Sequence, residues 1–120
     1  MNKEQAIHNF WSSFGWKAYE ENTVDPDAKL PYITYNVATG EIDEYVGLYA
    51  TLWDRGTSHK RVDGKAKEIA QHIVRMNPIP LDDGYLHLSL GSPFSQHQDD
   101  EDDMIRRTYI NLQAEFYTEF

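Results

Sequence analysis

Across residues 2–14 the large apolar side chains Ile7, Phe10, Trp11 and Phe14 recur at i, i+3, i+4 and i+7, the spacing that gathers side chains into one stripe of a helix. Gly15 follows at once, and a glycine just past the last periodic residue can take the left-handed conformation that ends a helix. A short amphipathic helix is therefore predicted, with its stop at Gly15. Residues 16–30 mix Asn22, Asp25, Pro26 and Asp27 without a sustained period, and read as a long ordered loop pinned by Trp16, Tyr19 and Val24. Pro31 then opens a β-branched and aromatic segment in which Ile33, Tyr35 and Val37 share one face. After the turn signal Ala38-Thr39-Gly40-Glu41, residues 45–53 alternate, with Val46, Leu48, Ala50 and Leu52 on one side. These two strands are expected to pair as a hairpin. The opposite side of the second strand carries Tyr45, Gly47, Tyr49, Thr51 and Trp53, too apolar to be freely solvated along its length, so something is expected to cover it.

Asp54-Arg55-Gly56 breaks the strand, and Thr57 or Ser58 can cap a second helix in which Val62, Ala66, Ile69 and Ile73 repeat at helical spacing to about Met76. Gly64 inside it costs about 1 kcal/mol relative to alanine, which suggests a frayed first turn or a close backbone approach there. Pro78 and Pro80 enforce the stop. Residues 85–91 alternate with Leu86, Leu88 and Leu90 inward. Residues 105–117 alternate again, with Thr108, Ile110, Leu112, Ala114 and Phe116 on one face. The order helix, strand, strand, helix, strand, strand predicts an α+β fold, a mostly antiparallel sheet with helices packed on it, and a core of Leu48, Leu52, Ile69, Ile73, Leu88, Ile110, Leu112 and Phe116.

A length of 120 residues fits one domain spanning the chain, and an aromatic content of 13% supplies enough bulk to close one core. With 20 acidic against 11 basic residues, the net charge of -9 disfavours tight sequence-specific DNA binding and attraction to an anionic bilayer. No window approaches the roughly 20 apolar residues of a membrane span, so no membrane association is expected. The absence of cysteine removes disulfides, thiolate nucleophiles and Cys-ligated metals.

The sharpest local feature is the run Asp99, Asp100, Glu101, Asp102 and Asp103. Clustered carboxylates can hold a hard cation, but this run lacks the alternating ligands and turn glycine of a calcium loop, and is expected to be a solvated loop between the last two strands. The five histidines, His8, His59, His72, His87 and His97, show no paired metal spacing or catalytic order. His8 and His72, beside the helix stripes, read as boundary residues. No serine sits in a nucleophile-elbow frame and the glycines form no phosphate loop, so neither catalysis nor a cofactor or metal is expected. Charge is uneven: Arg55, Lys60, Arg61, Lys65, Lys67 and Arg75 against Asp63 and Glu68 give this stretch +4 and leave -13 for the remainder. A basic helix on an acidic body suits copies that meet basic to acidic.

The segment from Gly15 through Trp16, Ala18-Tyr19, Val24, Pro26 and on to Pro31-Tyr32-Ile33-Thr34-Tyr35 resembles the small tail-terminator, or tail-completion, proteins of long-tailed bacteriophages and prophages, also called minor capsid or head-tail joining proteins. The likeness continues in element order through a hairpin, a helix rich in Ala, Lys and Ile, and a long last strand. It implies a non-catalytic virion component assembled in the host cytoplasm: a homo-oligomeric ring, commonly of six copies, that caps the tail tube protein and docks on the head-completion or connector protein. DNA would pass through without sequence-specific binding, and an acidic lumen would favour its passage. Candidate interface residues on this reading are Tyr45, Tyr49 and Trp53 of the second strand, Lys60, Arg61 and Lys65 of the second helix, and the acidic residues Asp99, Asp100, Glu101, Asp102 and Asp103. Two other readings are a small-molecule-binding α+β module using the aromatic sheet face, and a metal-dependent enzyme using the acidic run with His97.

Overall fold

The computed structural model describes residues 2–37 and 45–118. Asn2 begins helix α1 (Lys3–Ser12) with a reciprocal cap: its side chain accepts from the Gln5 N–H at 2.9 Å, and the Gln5 side chain accepts from the Asn2 N–H at 3.2 Å. The helix stops two residues short of the predicted Phe14, but Phe14 still buries, and Gly15 takes φ 86° to swing the chain out of the helix. That turn leads into a strand, β1 (Lys17–Glu20), in the segment read from sequence as loop. It pairs in parallel with β2 (Tyr32–Tyr35), Ala18 opposite Ile33.

Strand β3 (Tyr45–Arg55) runs antiparallel to β2 as the hairpin reading expected, with Ile33 opposite Leu52; the turn residues 38–41 lie outside the described residues. In helix α2 (Lys60–Ile73) the N-cap position falls on His59, whose side chain makes no capping bond, while the Ser58 hydroxyl one residue earlier accepts from the Lys60 N–H at 3.4 Å. The helix also ends three residues before Met76. Among the described residues nothing lies within 4 Å of a Cβ built on Gly64, so no close backbone approach there requires the glycine. Gly64→Ala is therefore expected to stabilise the fold by about 0.5–1 kcal/mol, read as a higher urea midpoint at unchanged slope.

The chain closes with β4 (Ile79–Leu81), absent from the predicted list, then β5 (Gly84–Gln98) and β6 (Ile105–Thr118). The sheet order is β1-β2-β3-β6-β5-β4, antiparallel except for the β1–β2 pair, and the α+β class holds. α1 touches both β1 and β4, the two outer strands, while α2 lies over β3, β6 and β5. One helix can reach both edges only if the sheet curls around it. The concave side holds the core: all eight residues named from sequence are buried, joined by Ile7, Phe10, Trp11 and Phe14 of the α1 stripe. Burial of each such large side chain contributes about 1.5–3 kcal/mol.

β5 is much longer than the seven residues its alternation predicted, because an irregularity lies inside it. Leu90 pairs with Leu112 and Ser95 with Ile110, so the four residues between them on β5 oppose Asn111 alone. The displacement is odd, which reverses facing: Leu88 points inward before it, and Ser95 and His97 share the inward side after it.

Candidate functional site

Strand alternation sends one set of β3 side chains into the core and the other to the convex side, where no helix packs among the described residues. There Trp53 sits between Tyr32, 6.0 Å away ring to ring, and the Arg107 guanidinium, 4.9 Å above its ring. Tyr19 meets Tyr32 edge-on at 5.7 Å, and Tyr49 stacks on Tyr109 at 5.6 Å. Polar groups tie the rings down: the Trp53 Nε1–H donates to Thr34 at 2.9 Å, and the Tyr49 hydroxyl donates to Glu21 at 3.0 Å. No helix among the described residues supplies the expected cover; the rings shield one another only in part and remain half-buried across β1, β2, β3 and β6. The bond to Glu21 holds the Tyr49 hydroxyl above its ordinary pKa, and burial does the same for Tyr32 and Tyr109, so these three hydroxyls stay protonated at physiological pH. Tyr45 opens β3 opposite Glu115, and for it only this backbone position is described.

The three cations proposed on α2 have different situations. Lys60 is exposed. Arg61 reaches back to the buried Asp54 of β3 at 3.2 Å, which balances a carboxylate held on the core side. Lys65 donates to the Phe14 carbonyl at 2.7 Å and to Glu68 at 3.0 Å, with its ammonium 5.3 Å from the Trp16 ring. It serves as a C-terminal clamp on α1, and no sequence pattern would have linked residues 14 and 65.

The acidic run forms the β5–β6 connection, as predicted, but it is folded by its own hydrogen bonds. Asp102 accepts from the Met104 N–H at 2.8 Å and pairs with Arg55 at 3.6 Å; Asp100 pairs with Arg107 at 3.6 Å, and Arg107 also donates to the Asp99 carbonyl. Glu101 and Asp103 stay exposed at its tip. Like charges accumulate there because two arginines on β3 and β6 lie beneath them.

A histidine cluster that sequence reading missed joins the β5 extension to α2. The His59 and His97 rings stack 3.8 Å apart, and His97 Nε2 lies 2.6 Å from Asp63 Oδ1. Thus His97 faces α2 instead of the acidic run, and among the described residues no group of three or more His, Asp or Glu is arranged to hold a metal ion. His8 bonds the Tyr35 hydroxyl at 2.8 Å and His72 rests on the Phe14 ring at 5.3 Å, both at the margin of the core as expected. Burial, then the neighbouring His97 and Arg106, push the His59 pKa below 6.5, only partly opposed by Asp63 and Asp99. The unfolded chain accordingly takes up this proton at a higher pH than the native one. His59 contributes stability above about pH 6.5, and that contribution is lost as pH falls through the lower native value. Urea midpoints between pH 7.5 and 5.5 should fall more steeply for the native sequence than for His59→Phe; equal slopes would remove this assignment.

Compared with known proteins, the chain matches no family model, and no curated protein matches it.

Proposed function

We propose that the chain is a structural, non-catalytic component of a bacteriophage or prophage virion, of the tail-terminator class. It works as a homo-oligomeric ring, six copies on the family pattern, at the end of the tail tube where the tube meets the head connector. The observation that carries this reading is the aromatic convex face: Tyr19, Tyr32, Trp53, Tyr49 and Tyr109 form a half-buried surface over four strands that no helix among the described residues covers. A single copy gains little from such a surface, whereas a neighbouring subunit or tube protein would bury it. The Pro31-Tyr32-Ile33-Thr34-Tyr35 segment that carries the family resemblance supplies β2 at the middle of this face. The exposed carboxylates Glu101 and Asp103 and the net charge of -9 suit a ring through which DNA moves without being held.

Light scattering over a wide concentration range, followed by electron microscopy, tests the proposal. The expected result is a concentration-dependent oligomer with ring-shaped particles, weakened as salt is raised from about 0.05 to 0.5 M because charge pairing between copies is screened. A monomer at every concentration would overturn it.

A further inference from the structure

β4 covers only residues 84–86 of β5. Beyond them, among the described residues, the side of β5 away from β6 has no pairing strand, so its backbone groups there face outward. Pro93 and the irregularity at residues 91–94 block the first part of this open edge. Residues 95–98 (Ser, Gln, His, Gln) carry neither proline nor lysine, the usual means of keeping an edge from pairing. At the other end of the same sheet β1 is also open on one side, for among the described residues it pairs with β2 alone. A cleft between α1 and β1 is lined by His8 and Ser12 together with the consecutive residues Gly15, Trp16, Lys17, Ala18 and Tyr19. Consecutive strand residues alternate in facing, so a groove that touches them all follows the strand edge and not one face.

We infer that residues 95–98 of one copy add to Lys17–Glu20 of the next as an antiparallel strand, making the sheet continuous from subunit to subunit. This rests on the ring reading and specifies its contact. Length and facing agree: four open residues meet four, and setting Gln98 opposite Lys17 and His97 opposite Ala18 keeps convex with convex and core side with core side. Charge selects the direction. An antiparallel strand carries Asp99 and its acidic neighbours past the exposed Lys17, whereas a parallel one would carry them beside Glu20 and Glu21. Because the two edges are different surfaces, the contact is heterologous, the kind that propagates around a ring.

The chain has no native cysteine, which makes cross-linking unambiguous. Under mild oxidation the doubly substituted Lys17→Cys/Gln98→Cys chain should give a ladder of covalent oligomers on a denaturing gel, while each single variant stays monomeric on that gel. A covalent dimer from either single variant would mean two-fold pairing and overturn the inference. Light scattering on the same sample separates the two levels: an oligomer without a ladder overturns the edge contact alone, and a monomer overturns the ring reading with it. In the unsubstituted chain, amide exchange at residues 17–20 and 95–98 should slow about tenfold or more as concentration rises through assembly. Exchange unchanged by assembly would also overturn the inference.

Discussion

Trp11→Ala should destabilise the fold by about 3–5 kcal/mol, the range for removing a large buried aromatic side chain. Trp11 has no exposed surface, packs edge-on against Phe10 at 4.9 Å, and belongs to the helix that touches both outer strands. The cavity would therefore open where the curl of the sheet is held, with little freedom to collapse. Against a total stability of roughly 5–15 kcal/mol for a domain, the variant would be close to unfolded at room temperature. Trp11→Phe should cost much less. It retains a ring and also removes the indole N–H, a buried donor without a hydrogen-bond partner among the described residues. Urea midpoints for the two variants check this, and a Trp11→Ala loss under about 1 kcal/mol would contradict the packing described.

Gly91→Ala should destabilise by about 1–3 kcal/mol, although it adds a single methyl group. A Cβ at this position would lie 2.6 Å from the Asn111 carbonyl oxygen and 2.7 Å from its side-chain nitrogen. Asn111 belongs to β6, between two strands, so its backbone cannot withdraw without straining the ladder on both sides. Gly47→Ala on β3 is the matched control: among the described residues nothing lies within 4 Å of its added carbon, and its effect should be within about 0.5 kcal/mol. Equal effects at the two glycines, measured by thermal or urea unfolding, would show that the irregularity in β5 does not require close backbone approach.

Where one periodicity ran long enough to be read, sequence and structure agree. The β3 and β6 alternations, the first part of β5 and the α2 stripe account for every core residue named in advance, and the α1 stripe is buried beside them. β1 escaped notice because only Ala18 of its four residues is fully buried, and a small residue gives no alternation signal. β4 is three residues long with Pro80 at its centre, a pattern that reads as a break. The extension of β5 was hidden by the reversal of facing at residues 91–94, after which polar residues occupy the inward side. The aromatic patch was half legible: Tyr49 and Trp53 followed from alternation along β3, while Tyr19, Tyr32 and Tyr109 join it only through strand pairings. Lys65 looked like surface charge, yet its role depends on a carbonyl 51 residues away. The same holds for the stacked His59 and His97, which no local spacing could bring together.

β6 follows every other strand in the sequence, yet it lies between β3 and β5. During synthesis, β1 through β5 leave the ribosome before the strand that joins the two halves of their sheet. Until then β3 and β5 each lack a partner along one side, and the leucines they contribute to the core face an unfinished surface. The sheet thus stays in two halves until β6 has emerged, and the stack of Tyr109 on Tyr49 on the convex face can form only then.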